Sequence, residues 1–411
     1  MSEESSKQST SGTELEDTMK SMLLEARKLR MSGSYSESIH LLEIARRMAF
    51  EHELPTMEID VLEELGNAQT HSEPEQAFLQ YQAALNIAQL LNDHRRVANI
   101  FVDLANLHRV QGRSNEAHEC FQTALGIYET SPDSNKEFVL LANLAGFYYE
   151  LNQPVEGEKY IAKAIQLAKL NGNISGEAMS LCSYAKGLQQ VYKFDQALTV
   201  VQQAIQVAEL SNNESIIATA LECNGYIHQM MHNYDKAVEC YLPAMKMFEK
   251  QNNLRMVASI LSNLGFCYQN RNDDDTALEY LGLALEFCRN IGERRNESLV
   301  LRAMAGSYTR KGELEKAYHM LHEALSIIQA SGNIRMQAVV MAGLAEVVHA
   351  LGNNDEAYQT MEQAVELLKN GPNDIKLIRV MESQVELYRN DGRLEEAERI
   401  EREIQAIKAV R

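Results

Sequence analysis

The sequence has no tryptophan, only six prolines and only 7% aromatic residues among its 411 residues. Scarce proline and abundant Ala, Leu, Glu and Gln favour helices, because these side chains lose little freedom in a helix. The six cysteines include no C-x-x-C pair, which argues against a zinc ribbon or a thioredoxin-type redox pair. Each cysteine falls within a helical pattern, as small buried hydrophobes do. Unpaired thiols of this kind suit a reducing compartment, and we expect a cytoplasmic protein.

Positive charge is also scarce. The 39 Lys and Arg residues are outnumbered by 58 Asp and Glu residues, which gives a net charge of -19. Such a surface repels phosphate backbones and anionic lipids, so we expect no nucleic-acid binding, and it favours a basic or amphipathic protein or peptide partner. No run of about eighteen apolar residues occurs, so we expect no membrane insertion. Residues 1–13, MSEESSKQSTSGT, lack the apolar core of a signal peptide, and their composition predicts a disordered N-terminal tail.

Small residues recur along the rest of the chain with a period of about forty residues, which is typical of a repeat architecture. The first ladder comprises Ala77, Ala117, Ala197, Ala237, Ala277, Ala317, Ala357 and Ala397, with Ser38 and Gly157 at the two remaining places. A second ladder lies seven positions later and comprises Ala45, Ala84, Ala124, Ala164, Ala204, Ala244, Ala284, Ala324 and Ala364. Ten repeats fit this register over residues 14–411, and each contains two amphipathic helical patterns, helix A and helix B.

These features resemble the tetratricopeptide repeat (TPR) family. The residues that carry the resemblance are a small residue in helix A, the alanine near the start of helix B, another alanine seven positions on, and a large residue between them, as at Tyr81, Phe121, Tyr241 and Leu281. A period near forty resembles the long-helix branch of the family, found in kinesin light chains, Pins-type adaptors and bacterial regulators related to the maltose activator. The resemblance implies an all-α, right-handed superhelical solenoid of about ten helical hairpins. Its last helix, with a charged outer side, would act as a cap.

Three consecutive aspartates, Asp273, Asp274 and Asp275, admit two interpretations. Acidic residues recur at this point of helix B in several repeats, where they would face the unpaired N–H groups and the positive end of the helix dipole. A calcium loop would instead need glycine at its sixth position and glutamate at its twelfth. Counted from Asn270, those positions hold Asp275 and Leu281. The sequence therefore predicts a helix start.

Other candidate chemistry is weak. Two histidine pairs, His228 with His232 and His319 with His322, have helical spacing but no further ligands at metal-site spacing. Solvated or half-buried imidazoles are the simpler interpretation. No phosphate-binding glycine loop and no nucleophile elbow occurs, so we expect no metal, no cofactor and no enzymatic activity.

The family resemblance implies that helix A lines a concave groove and that ligand-binding side chains project from it. The candidate groove residues in that register are Asn106, Arg109, Asn143, Tyr149, Lys186, Gln189, Glu222, Tyr226, Gln229, Asn263, Phe266, Gln269 and Arg302.

Within this set, Gln189, Gln229 and Gln269 share one register. Their amides would form a ladder able to donate to and accept from a peptide backbone, although solvation of the groove is an equally good explanation. Asn143 and Asn263 match asparagines that long-helix relatives use to hold an extended peptide.

Tyr149, Tyr226 and Phe266 would add apolar grip, and we expect Tyr226 and Phe266 to lie at the centre of the groove. The lysine of the clamp that some TPR proteins use for acidic C-terminal tails is absent, since Asn106 is accompanied by Val102. Chaperone-tail binding of that type is therefore disfavoured.

The sequence thus predicts a non-enzymatic scaffold or adaptor. The alternative is a peptide-responsive regulator whose superhelix changes on binding. Regulators of that kind usually carry an effector module before the repeats, and only about fifteen residues precede them here. Self-association is left open.

Proline inside a predicted helix B, at Pro243, removes one N–H donor and crowds the carbonyl of Glu239. The flanking pattern still predicts one helix, bent rather than broken.

Overall fold

The computed structural model describes residues 2–70, 73–130, 134–331, 333–369 and 375–409. Within these ranges the chain forms twenty α-helices and no strand, arranged as ten successive helix A–helix B hairpins. The A helices are α1 (Ser2–Met31), α3 (Pro55–Gln69), α5 (His94–Val110), α7 (Ser134–Glu150), α9 (Ile174–Gln190), α11 (Glu214–Met230), α13 (Leu254–Asn270), α15 (Arg294–Arg310), α17 (Ile334–Ala350) and α19 (Ile375–Asn390). The B helices are α2 (Tyr35–Glu51), α4 (Pro74–Leu90), α6 (Ser114–Thr130), α8 (Pro154–Leu170), α10 (Phe194–Leu210), α12 (Tyr234–Lys250), α14 (Asp274–Asn290), α16 (Leu314–Ser331), α18 (Asn354–Lys369) and α20 (Leu394–Ala409).

The turns between helices explain the glycines and asparagines at the repeat boundaries. Gly112, after α5, has a φ of 76°, and Asn272, after α13, has a φ of 60°. This left-handed conformation ends a helix and lets its last carbonyls accept hydrogen bonds from the turn. His232 occupies the same place in its repeat and takes a φ of 61°, so its position reflects the turn and not a metal site.

Helix A carries a small residue because a large side chain of helix B presses on it. A Cβ added to Gly225 would lie 2.8 Å from the ring of Tyr241, and one added to Gly265 would lie 2.5 Å from the side chain of Leu281. Each glycine therefore leaves the space that its own hairpin needs in order to close.

The aspartate cluster is a helix start, as the sequence predicts. Asp273 caps α14, and its carboxylate accepts a hydrogen bond of 3.1 Å from the backbone N–H of Thr276. Asp274 and Asp275 lie in the first turn of α14 and pair with Arg310 and Lys311. Among the described residues, no three His, Cys, Asp or Glu side chains are grouped in a way that could hold a metal ion.

Helix α12 continues without a break through Pro243, so the predicted continuity is confirmed while the predicted bend stays a prediction. In α20, Ala397, Ile400 and Ile404 are buried, whereas Leu394 is exposed. The capping role of α20 and the disorder expected for residues 1–13 also stay predictions.

The contacts divide the chain into two bodies, Met1–Val257 and Ala258–Arg411, called here the N-terminal body and the C-terminal body. In the N-terminal body, α5 packs on α7, α7 on α9 and α9 on α11. In the C-terminal body, α15 packs on α17 and α17 on α19. Neighbouring A helices thus lie side by side within each body.

Candidate functional site

Each body presents a solvent-accessible surface made by its adjoining A helices, called here its A face. In the N-terminal body the A face includes Asn106, Asn143, Lys186 and Tyr226, all partly exposed. In the C-terminal body it includes Asn263, Phe266, Arg302, Glu346 and Arg379, all partly or fully exposed. Tyr226 and Phe266, the predicted centre of the groove, therefore belong to different bodies.

On α5 and α7 of the N-terminal body, some polar side chains pair with each other and one polar atom has no partner. The Arg109 guanidinium on α5 lies 3.8 Å from the carboxylate of Glu150 on α7. The Oδ1 atom of the Asn106 side chain is buried and accepts no hydrogen bond from the residues that the structure describes. Val102 beside it is buried, which agrees with the absence of a basic clamp.

Tyr149 is a packing residue, which differs from the apolar grip expected of it. Its side chain is only 2% exposed, and its ring covers the backbone of two helices. A Cβ added to Gly187 on α9 would lie 2.3 Å from that ring, and one added to Gly157 on α8 would lie 2.9 Å from it. The sequence register places Tyr149 on the correct helix but does not reveal that two glycines make room for its ring.

An ion pair crosses the A face of the N-terminal body. The Lys186 ammonium on α9 lies 3.1 Å from the carboxylate of the buried Glu222 on α11. Burial alone would lower the pKa of Lys186, but Glu222 raises it above the usual lysine range. Tyr226, one turn further along α11, has a pKa raised by burial. The structure thus brings the predicted site residues Lys186, Glu222 and Tyr226 together, and the charges of Lys186 and Glu222 are paired with each other.

The glutamine ladder is turned inward. Gln189, Gln229 and Gln269 are all buried. The Gln229 side-chain oxygen accepts a 2.8 Å hydrogen bond from the Tyr241 hydroxyl. The Gln269 amide donates to the backbone oxygen of Ala303 at 2.6 Å. These contacts favour a packing role for the ladder over the predicted contact with a peptide backbone.

The A face of the C-terminal body carries an exposed aromatic side chain. Phe266 on α13 is 42% exposed, which is unusual for a large aromatic side chain. Gly306, in the same register on α15, would meet only the Arg310 guanidinium if it carried a Cβ, at a distance of 4.0 Å. The space above Gly306 is therefore open.

Two cations on this face have no ion-pair partner among the residues that the structure describes. They are Arg302 on α15 and Arg379 on α19, both exposed. Loss of hydration lowers the pKa of Arg302, the positive charge of Arg379 acts in the same direction, and Glu346 on α17 opposes them. Solvent reaches Arg302, yet the surrounding protein removes part of its hydration, as it does for a side chain in a depression of the surface.

Glu346 and Arg379 were missed by the sequence reasoning, which stopped at Arg302. Burial raises the pKa of Glu346, and Glu386 on α19 adds to the effect. The signal was present in the sequence for Glu346, which stands forty residues after Gly306 in the register of Phe266, whereas Arg379 stands in the separate register of Leu299.

A second surface of the N-terminal body also recurs with the repeat. Four B helices carry an apolar residue at their last or next-to-last position, and each of these side chains is 70–82% exposed. They are Phe50, Leu90, Leu170 and Leu210. This row, called the B-end row, is the alternative surface against which a function for the A face must be tested.

The arrangement of paired helices, small-residue ladders and polar A faces is that of a repeat protein of the helical-hairpin class. The tetratricopeptide repeat family profile matches residues 60–130, 216–290, 256–330 and 296–370, together more than half of the chain. The chain therefore belongs to the tetratricopeptide repeat family, and its fold is the expected all-α TPR solenoid of ten hairpins. No helix in the described ranges is both long enough and apolar enough to cross a membrane.

Three solved structures show the same fold. The Rap protein complexed with Competence and Sporulation Factor matches with a TM-score of 0.58 and 15% identity, over 86% of this chain and 98% of that one. The apo form of the quorum sensor NprR from B. thuringiensis matches with a TM-score of 0.58 and 16% identity, over 84% and 97%. Aspartyl phosphate phosphatase F from Bacillus subtilis matches with a TM-score of 0.53 and 13% identity, over 87% and 95%. At such identities the likeness shows the fold alone. No curated protein sequence matches the chain.

Proposed function

We propose that the chain is a non-enzymatic, cytoplasmic scaffold or adaptor that holds an extended segment of a partner protein on the A face of its C-terminal body. The observation that carries the proposal is the exposed Phe266 on the same face as two cations, Arg302 and Arg379, that have no ion-pair partner among the described residues. An amphipathic segment fits this surface, with an apolar side chain against Phe266 and a carboxylate near the arginines.

The energetics support this assignment. A guanidinium that has lost part of its hydration replaces the lost hydrogen bonds to water by forming charge-assisted, bidentate hydrogen bonds to a carboxylate. Phe266 would bury its exposed ring against an apolar ligand side chain, and such aromatic anchors dominate the affinity of many interfaces. Glu346 lies on the same face, so a basic residue of the segment would also find a partner.

The test is selection of peptides from a random library on the full chain, followed by affinity measurement of the selected peptides by fluorescence polarisation. We expect Phe266→Ala to weaken binding at least about tenfold, since an aromatic anchor contributes about 1.4 kcal/mol or more. Arg302→Gln should weaken only peptides that contain an acidic residue, and raising the salt concentration should reduce that difference.

The matched control is Leu210→Ser in the B-end row, an exposed apolar residue outside the A face. It should bind the selected peptides as the unaltered chain does. Peptides that tolerate Phe266→Ala and lose affinity with Leu210→Ser would assign binding to the B-end row instead. A library that yields no specific peptide would contradict the proposal for extended segments altogether.

The second candidate is a peptide-responsive regulator. It is favoured by the likeness to Rap and NprR over nearly the whole length of those chains. The Rap structure is a complex with Competence and Sporulation Factor, and NprR is called a quorum sensor. Small-angle scattering of the chain with and without a selected peptide separates the two candidates. A change in the radius of gyration on binding supports the regulator, and an unchanged radius supports the adaptor.

A further inference from the structure

Two cysteines from neighbouring A helices of the N-terminal body lie against each other. Cys182 is on α9 and Cys223 is on α11, and both are free thiols. The Cys223 thiol donates a weak hydrogen bond of 3.6 Å to the backbone oxygen of Cys182, and each thiol perturbs the pKa of the other. The residues are far apart in sequence, so their contact is a product of repeat stacking.

The environments of the two thiols differ. Cys182 keeps 5% of its surface exposed, whereas Cys223 is fully buried. The hydrogen bond from Cys223 lowers the pKa of Cys182 against the effect of burial, and the positive charge of Lys186 acts in the same direction. That hydrogen bond and burial both raise the pKa of Cys223. Glu222 holds Lys186 in place beside the pair.

The remaining cysteines lack this combination. Burial raises the pKa of Cys267 and of Cys288 to about 12 in each case. Burial likewise raises the pKa of Cys120 to about 11. A thiol reacts with oxidants as its thiolate, so these three are poor nucleophiles near neutral pH. Cys182 stands apart because it combines a lowered pKa, a nearby cation and a second cysteine whose sulphur contacts its backbone.

We propose that Cys182 and Cys223 form a peroxide-reactive dithiol site, in which Cys182 is oxidised and Cys223 resolves it to a disulfide that links α9 to α11. The Cys182 thiolate attacks one oxygen of hydrogen peroxide, the O–O bond breaks, and hydroxide leaves and takes up a proton to become water. The product is a sulfenic acid on Cys182. The Cys223 sulphur then attacks the Cys182 sulphur, the S–O bond breaks, and the released hydroxide combines with the Cys223 proton as a second water. Two thiols are thereby oxidised and one peroxide is reduced to two waters.

A small oxidant suits the site. Hydrogen peroxide is the size of two waters and can reach a sulphur with little exposed surface, whereas a bulky disulfide cannot. The sulphur of the buried partner already lies 3.6 Å from the backbone oxygen of Cys182, so the sulfenic acid should be short-lived, and a thiol reductant should reverse the disulfide. This inference stands apart from the proposed peptide binding, since the thiols lie in the N-terminal body and the peptide surface lies in the C-terminal body.

The test is brief treatment of the full chain with hydrogen peroxide near neutral pH, followed by alkylation of the remaining thiols and mass spectrometry. We expect a mass lower by two hydrogen atoms, a linked Cys182–Cys223 peptide, and its loss after dithiothreitol. Oxidation at Cys182 should be at least about tenfold faster than at Cys267 in the same sample, because the thiolate fraction falls tenfold for each unit by which a pKa rises.

Three variants assign the roles. Cys223→Ser should stop the reaction at the sulfenic acid of Cys182, which dimedone traps. Cys182→Ser should leave Cys223 as a thiol, and Cys120→Ser, the matched control, should form the disulfide as before. The proposal is overturned if the unaltered chain gives no linked peptide, or if Cys182 is oxidised no faster than Cys267. Both results are read on the unaltered chain and do not depend on how well a variant folds.

Discussion

The ring of Tyr149 between two glycines gives the sharpest test of how the repeats pack. In Gly187→Ala the new Cβ would lie 2.3 Å from the nearest ring atom, far inside ordinary van der Waals contact. The ring cannot retreat freely, because Gly157 lies against it as well and the side chain is only 2% exposed. Overpacking of this kind costs about 1–3 kcal/mol. Replacing a helical glycine by alanine contributes about 1 kcal/mol in the opposite direction. The clash at 2.3 Å lies at the severe end of this range, so it should win, for a net loss of up to about 2 kcal/mol.

Two control variants isolate the clash from helix propensity. Gly126 on α6 has no atom within 4 Å of the position of a new Cβ, so Gly126→Ala should stabilise the chain by about 0.5–1 kcal/mol. In the background of Tyr149→Ala, Gly187→Ala should no longer destabilise and should behave like Gly126→Ala. The measurement is the urea midpoint by far-ultraviolet circular dichroism, with hydrogen exchange to locate the loss in α7 and α9. Equal shifts for Gly187→Ala and Gly126→Ala in the unaltered background would refute the packing argument.

Three further outcomes are expected. Asp274→Asn should lower the melting temperature at neutral pH, because the hydrogen bond from Arg310 lowers the pKa of this carboxyl in the folded state. The resulting stabilisation is present above the unfolded pKa near 4 and is lost as the pH falls through the lower, folded-state pKa. The difference between the variant and the unaltered chain should therefore vanish in acid. Asp275→Asn should change little, since its side chain is 84% exposed whereas that of Asp274 is 15% exposed, and an equal effect of both changes would contradict the assignment. Pro243→Ala should raise the urea midpoint, with an upper limit of about 3 kcal/mol, and a lowered midpoint would show that the proline suits its helix. Deletion of residues 393–411 should expose apolar side chains of α19 and cause aggregation on size-exclusion chromatography, and a monodisperse product would exclude capping by α20.

Features that depend on one repeat at a time were predictable from the sequence. The alanine ladders locate helix B of each hairpin, and the small residue of helix A locates its partner, because a small residue is needed where a large residue of helix B closes on helix A, as Tyr241 does on Gly225. Asp273 was recognisable as a helix start because capping uses only the next three residues. Local rules of this kind need no knowledge of the neighbouring hairpin.

Features that depend on contacts between repeats were not predictable in the same way. The register places Tyr149 and Gln269 on the ligand-facing side of helix A, yet both are buried by side chains or backbone of the next repeat. A helical register fixes the direction of a side chain to within a turn and says nothing about the space left by the adjacent helix. The contact between Cys182 and Cys223 is invisible to cysteine spacing for the same reason.

The distribution of satisfied and unsatisfied charges decides where a partner is to be sought. In the N-terminal body, Lys186 and Glu222 pair with each other, and a ligand would have to replace that pair before it gained anything. A ligand ion that competes with a preformed partner pays the desolvation of both charges and recovers one interaction. On the C-terminal body, Arg302 and Arg379 have no ion-pair partner among the described residues, so a ligand carboxylate adds an interaction without breaking one. Phe266, exposed on the same face, adds apolar area that only a bound segment would remove from water. A ligand would therefore form new interactions on the A face of the C-terminal body, whereas on the A face of the N-terminal body it would have to replace the pair of Lys186 and Glu222. For this reason the variants at Phe266 and Arg302 are the first test of the proposed function.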